Sequence, residues 1–313
     1  MKQALRARFI STALRFKSFE PEDAILLSCD PRSGSTWLSE LLCESRPSAV
    51  IWEPFHLDNA PRVRDLGFSW RQYIPPDADW PEAELFIRRM LSGGYINQWT
   101  SWASPVADFV RAEHLLVKCC RANGVLPWLV RRIAFRRKPI HFLRHPFAIA
   151  ASQKRMGNFG TAGMDEVLSR GRYFEYLSEY AGFIRSLETD AERIVAMWCL
   201  MQKPALSDAQ TQERTIRMHY ETLKLYPERE VARLFHTWGE PVPEGVLARV
   251  NQASRMTVDG ALLNYPLSQV GKWRQEFSDK QVDRLARILT QLGVTEYSEA
   301  LLPATELEPS DEN

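Results

Sequence analysis

The segment Leu26-Leu27-Ser28-Cys29-Asp30-Pro31-Arg32-Ser33-Gly34-Ser35-Thr36-Trp37-Leu38 holds residue types, in an order, that can bind an anion. An apolar run leads into a short loop of small residues carrying one arginine, and the loop opens a helix with leucines at 38, 41 and 42. The free N–H groups at that helix start, the hydroxyls of Ser33, Ser35 and Thr36, and the Arg32 guanidinium can converge on one phosphate-sized group. Gly34 lets the backbone approach such a ligand closely. A nucleoside-triphosphate loop needs G-x-x-x-x-G-K-[ST], with a lysine on the terminal phosphates and a hydroxyl on magnesium. Here no lysine lies between Asp23 and Trp37, and the first glycine is absent. On its own, a serine-rich turn of this kind is also a well-capped helix start, so the reading needs partners elsewhere.

Partners follow in order along the chain. The apolar run Ile140-His141-Phe142-Leu143 ends in Arg144-His145-Pro146, and Ser152 falls about two turns into the helix that Pro146 suits as a first residue. An arginine holds a phosphate through two parallel hydrogen bonds, and a hydroxyl can take a third oxygen. Arg214–Leu223 reads as a strand followed by Tyr220-Glu221-Thr222-Leu223, where the tyrosine offers an aromatic face and a hydroxyl. Val270-Gly271-Lys272-Trp273-Arg274 is a basic loop around a tryptophan. Taken singly, Arg144 reads as a salt bridge, Ser152 as a helix-face hydroxyl and Trp273 as core.

Together these segments resemble the sulfotransferases that use 3′-phosphoadenosine 5′-phosphosulfate (PAPS), over roughly residues 24 to 290. The loop resembles the family's 5′-phosphosulfate loop in its arginine form, nearer the carbohydrate and tyrosylprotein branches than the P-K-S-G-T-T-W of cytosolic members. Arg144, Pro146 and Ser152 match the 3′-phosphate pattern R-x-P-x-x-x-x-x-S. The resemblance implies that Arg32, Ser33, Gly34, Ser35, Thr36 and Trp37 hold the phosphosulfate and Tyr220 faces the adenine. It also implies that Gly271, Lys272 and Trp273 close over the 3′-phosphate, although Ser268-Gln269-Val270 replaces the Arg-Lys-Gly that many members carry there.

The implied reaction moves a sulfuryl group in line from PAPS to an acceptor hydroxyl, on a carbohydrate or glycolipid, with no metal. It needs a base for the acceptor proton and positive charge at the departing phosphate. Arg32 suits the second task. The K-x-H histidine of many members is missing, because Lys118-Cys119-Cys120-Arg121 places a cysteine there. Other branches use a glutamate at the end of the strand after the first helix, and Glu53 in Trp52-Glu53-Pro54-Phe55-His56 matches that position. Pro54 biases Glu53 to extended backbone, and burial beside Trp52 and Phe55 is expected to raise its pKa. Three readings stay open, in this order: Glu53 as base, His56 as base, Glu53 as a structural residue. Lys118 assists at the bridging oxygen or is a strand-end surface lysine. The rival functions are a P-loop nucleotide kinase and a nucleotide-binding relative that has lost its base.

The elements that must position these residues are legible as periodicities. Short apolar runs at Ala24–Ser28, Ala49–Trp52, His114–Cys119, Pro139–Leu143 and Thr215–His219 alternate with helical patterns. That alternation predicts a single α/β domain, with a P-loop-like parallel sheet covered by helices on both faces. Ligands bind such sheets at the carboxyl ends of the strands, where Arg32, Glu53, Lys118, Arg144 and Tyr220 all fall.

Residues 56 to 112 are too long for a connector and carry Trp70, Trp80, Trp99 and Trp102, which suits an acceptor-binding insertion. Against that, any one of these tryptophans can simply fill a satellite core. Residues 1 to 20 read first as a basic amphipathic helix packing on the domain, with apolar residues at 5, 9, 10, 13, 14 and 16, and second as a segment that touches a membrane surface or a partner. Residues 303 to 313 read as a disordered acidic tail.

Length, charge and cysteines bound the rest. The chain has 313 residues, ample for a core, and its net charge of +1 gives no field that recruits nucleic acid. The cluster Arg131, Arg132, Arg136, Arg137 and Lys138 reads as a solvated helix end. Five cysteines form no C-x-x-C pair, and no apolar run is long enough to span a membrane. The cysteines fit a reducing, cytoplasmic compartment. The resemblance, in a chain without the anchor of many carbohydrate members, implies a bacterial setting and a small-molecule or glycan acceptor. The sequence has no metal-ligand cluster and leaves the oligomeric state open.

Overall fold

The computed structural model describes residues 2–157, 164–169, 171–250 and 266–306. The acidic tail expected over 303–313 falls outside the described residues from 307 onward. The five apolar runs all form strands: β1 (Ile25–Cys29), β2 (Ser48–Trp52), β3 (His114–Cys119), β4 (Ile140–Leu143) and β5 (Ile216–His219). They pair in parallel in the order β2-β3-β1-β4-β5. Near-continuous apolar strands are what a parallel sheet covered on both faces requires.

Side chains alternate across the sheet. On one face Leu26, Ala49, Ile51, Leu115 and Val117 join a core with the Pro81–Leu91 and Leu126–Arg132 helices. On the other, Ile25, Leu27, Val50, Leu116, Phe142 and Met218 pack under the Ser35–Cys43 and Pro227–Thr237 helices. A third cluster joins the Pro146–Arg155, Asp190–Ser207 and Asp279–Gln291 helices around Trp198 and Trp273. The long Asp190–Ser207 helix begins at Thr189, whose side chain bonds Glu192 in a reciprocal capping box.

Topology fixes where a ligand can sit. From β1 the chain crosses to β2 at one edge of the sheet, whereas from β4 it crosses to β5 at the other. The loops leaving β1 and β4 therefore diverge and flank a crevice at the carboxyl edge, a switch point of the kind that binds nucleotides in open α/β sheets.

Residues 56–112 carry the helices Pro61–Asp65, Pro81–Leu91 and Val106–Arg111. Trp80 is buried and stacks on Phe68 at 4.6 Å, so that tryptophan is core. The basic cluster after Leu126 is a solvated helix end only in part: Arg136 and Lys138 are exposed, but Arg131 pairs with Asp208 at 2.8 Å and Arg137 with Glu240 at 2.8 Å. Those carboxylates lie far away in sequence, which a local charge pattern does not reveal.

Candidate functional site

Arg32, Ser33 and Gly34 make the turn from β1 into the Ser35–Cys43 helix. Both Arg32 (φ 72°) and Gly34 (φ 84°) take left-handed backbone, which turns successive N–H groups inward as in an anion nest. An arginine held in that region is strained and needs surrounding contacts to hold it. A Cβ at Gly34 would stand 2.6 Å from the ring of Tyr220, so the tyrosine lies directly against the loop. Ser33 Oγ is buried and has no hydrogen-bond partner.

The second motif meets the first. Arg32 Nε donates to Ser152 Oγ at 3.0 Å, and Arg144 Nη1 donates to the Arg32 carbonyl at 2.7 Å. The Arg144 guanidinium lies 4.3 Å from the ring centroid of Tyr220, while its Nε is buried and unpartnered. Among the described residues neither Arg32 nor Arg144 makes an ion pair. Partial burial, then Arg144 and Arg155, push the Arg32 guanidinium below its usual pKa, the mark of uncompensated positive charge.

A buried network fixes this turn. The His145 N–H donates to Glu221 Oε1 at 2.9 Å, and Tyr297 donates to the other carboxylate oxygen at 2.9 Å. His145 Nδ1 accepts from the Phe147 amide, capping the Pro146–Arg155 helix, and its ring stacks on Trp273 at 4.8 Å. Gly271-Lys272-Trp273 is thereby held against the Arg144 turn, with Trp273 buried and Lys272 half-buried. Trp37, at the start of the loop helix, is buried in the core cluster under β1, and its Nε1 has no hydrogen-bond partner. Burial holds the His145 pKa down at about 3.

Glu53 stands beyond β2 on the other side of the crevice. Its backbone departs from expectation: φ is 38°, left-handed and not extended. Tertiary bonds overrule the preference set by Pro54, because the Glu53 N–H donates to the Lys118 carbonyl at 2.8 Å and Trp99 Nε1 donates to the Glu53 carbonyl at 3.2 Å. The carboxylate accepts from Arg121 Nη1 at 2.5 Å and lies 3.8 Å from Lys118 Nζ.

Its pKa also departs from expectation. Burial alone pushes it up, but Arg121, then Lys118, bring it net below the ordinary carboxylate value. Lys118 is not a surface lysine; it is 2% exposed, with its ammonium 3.5 Å from the centroid of Trp52. His56 lies between Trp70 and Trp99, edge-on to both at 4.9 and 4.8 Å, and burial then Arg121 lower its pKa.

The two halves adjoin through the cysteines. Cys29 and Cys120 are in contact, Sγ to Sγ at 3.5 Å, and Cys29 also bonds Ser35 at the start of the loop helix. The hydrogen bond with Cys29, together with burial, pushes the Cys120 thiol well up, so it stays neutral.

Two residues of this centre carried no sequence signal. Arg121 follows a strand end but looks like any surface arginine, and Arg71 lies in the insertion at φ 55°. Arg71 faces Asp30, whose carboxyl burial pushes up to about 6 while Arg71 and a hydrogen bond from Gln202 oppose the shift. His141 Nε2 donates to the side-chain Oε1 of Gln202 at 2.6 Å and completes a buried chain behind the loop.

No protein-family model matches the chain, and no curated protein does. Among solved structures it is similar to the sulfotransferase domain from the curacin biosynthetic pathway, with 18% identity, a TM-score of 0.48, and 89% of this chain and 99% of that one covered. It is also similar to the sulfotransferase domain of a Synechococcus olefin synthase, with 20% identity, a TM-score of 0.45, and coverage of 86% and 94%. A mouse sulfotransferase complexed with PAP shares 14% identity at a TM-score of 0.43, with coverage of 91% and 88%.

Proposed function

We propose that this chain is a PAPS-dependent sulfotransferase that sulfates an acceptor hydroxyl, on a carbohydrate or glycolipid. One observation carries the reading. Two guanidinium groups from distant motifs, neither ion-paired among the described residues, meet at one crevice, and a buried Arg144 Nε and Ser33 Oγ there lack partners. Unspent donors and unbalanced positive charge at the carboxyl edge of a parallel sheet suit a nucleotide with phosphates at both ends.

In this reading Arg144 and Ser152 hold the 3′-phosphate, with Lys272 near the same turn. The N–H groups of the loop, its hydroxyls and Arg32 hold the 5′-phosphosulfate. Tyr220 presents its ring to the adenine. The acceptor oxygen forms its bond to sulfur as the bond from sulfur to the bridging oxygen breaks, and that electron pair stays on the 5′-phosphate. Arg32 and Lys118 stabilise the charge developing there, in the role a metal takes in phosphoryl transfer. The acceptor proton goes to Glu53, which its lowered pKa keeps ionised at neutral pH. Because Arg121 and Lys118 weaken Glu53 as a base, the reaction depends on holding the acceptor hydroxyl close and relies less on basicity. Trp70, Trp99 and His56 supply the aromatic wall against which a sugar ring stacks.

The test is to incubate the protein with sulfur-labelled PAPS and an extract of its host. The reading expects one adenosine 3′,5′-bisphosphate formed per label transferred, with or without a chelator. Turnover of ATP that needs magnesium, with no use of PAPS, overturns it in favour of a kinase.

A further inference from the structure

The helix Lys2–Leu14 is apolar on two opposite faces. Ala7, Ile10 and Leu14 are buried against the domain, and Arg6 fixes the helix rotation by donating to the carbonyls of Ser101 and Ser104. That rotation leaves Leu5, Phe9 and Phe16 facing solvent, 58%, 57% and 87% exposed. The packing read from the sequence therefore holds for residues 10 and 14 and not for 5, 9 and 16. Leu5 and Phe9 fall one above the other on the helix and form an exposed apolar stripe, and Phe16 is exposed in the turn that follows the helix.

Charge decides what covers that stripe. Lys2, Arg6, Arg8, Arg15 and Lys17 lie in this segment and no acidic residue does before Glu20. Lys2 and Arg8 are exposed on the helix, Arg15 is exposed in the turn that follows it, and none has a carboxylate partner among the described residues. A second copy of the chain would bring two such cationic faces together, which is repulsive. An acidic peptide would satisfy the charges but leave the aromatic rings wet. An anionic bilayer meets both demands: apolar side chains enter the acyl boundary while these cations stay among the headgroups. Among the described residues no helix is long and apolar enough to cross a membrane.

We infer that the outward face of the Lys2–Leu14 helix docks this protein on an anionic lipid bilayer. This does not rest on the transfer chemistry proposed above. The test is co-sedimentation of the full chain with vesicles of phosphatidylcholine alone and of phosphatidylcholine mixed with phosphatidylglycerol. The protein is expected to sediment with the mixed vesicles only. Arg8→Gln with Arg15→Gln should lower the partition coefficient roughly 30-fold, and Phe9→Glu with Phe16→Glu should abolish sedimentation while the thermal melt is unchanged. Both pairs are exposed, so neither should cost folding, and either pair alone reads the effect. Failure of the wild type to sediment with mixed vesicles overturns the inference, as does sedimentation that neither double variant weakens. Binding of soluble polyglutamate in place of vesicles, or a dimer that Phe9→Glu with Phe16→Glu dissociates, assigns the face to another occupant and overturns it too.

Discussion

Arg32 Nε donates to Ser152 Oγ at 3.0 Å, joining the turn after β1 to the helix after β4. The bond makes one crevice of two motifs that are separate in the sequence. It also means that the hydroxyl proposed for the 3′-phosphate and the arginine proposed for the phosphosulfate are neighbours. A substitution at either one should be felt at both ends of the nucleotide.

Gly34 tests how tightly the loop is built. At φ 84°, with Tyr220 2.6 Å from any Cβ, Gly34→Ala meets both backbone strain and a clash. It should destabilise the protein by about 1–3 kcal/mol in urea unfolding and weaken binding of adenosine 3′,5′-bisphosphate by displacing Tyr220. An alanine variant with wild-type stability and binding would show that the ring moves freely away from the loop.

The base assignment predicts a separation of binding from chemistry. Glu53→Gln keeps the shape of the side chain and should leave nucleotide affinity unchanged while transfer falls about 10²–10⁴-fold. The pH profile adds a signed test. Arg121 and Lys118 hold the Glu53 pKa down, so the acid limb of kcat/KM should lie below the usual carboxylate range. Arg121→Ala removes the larger of the two charge effects and lets burial act, so the limb should move to higher pH. A limb unmoved by Arg121→Ala would shift the role to another group, with His56 next.

His145 predicts an acid sensitivity of the fold. Burial depresses its pKa to about 3, so the folded protein keeps it neutral while the unfolded chain binds a proton below about 6.5. Stability from this group is full above the unfolded pKa and is lost as pH falls below it. His145→Asn keeps an acceptor for the Phe147 amide without the titration. The variant should lose about 2 kcal/mol less than the wild type between pH 7 and 5, measured by urea unfolding at both pH values. Equal losses would mean that His145 is accessible to protons in the folded state.

What the sequence discloses and what it conceals divide along contact range. The five strands were legible because each is an apolar run buried on both faces, and the Arg32 loop because its chemistry lies within a few adjacent residues. The centre around Glu53 was not. Its carboxylate is paired by Lys118 from the next strand in the sheet and by Arg121 just beyond that strand, so a pKa expected to rise is lowered instead. Its backbone angle is set by bonds to Lys118 and Trp99, which outweigh the local bias of Pro54. The first helix teaches the same lesson: the apolar residues at 5, 9, 10, 13, 14 and 16 announce a helix, which ends at Leu14, but its rotation depends on Arg6 reaching Ser101 and Ser104.

The most direct measurement is a calorimetric comparison of two nucleotides, adenosine 3′,5′-bisphosphate and adenosine 5′-monophosphate, on the wild type and on Arg144→Ala. If Arg144 grips the 3′-phosphate, the wild type should prefer the bisphosphate by about 10–150-fold, the worth of charged hydrogen bonds, and the variant should lose most of that preference while binding the monophosphate as before. A variant that still tells the two nucleotides apart as well as the wild type would contradict the account.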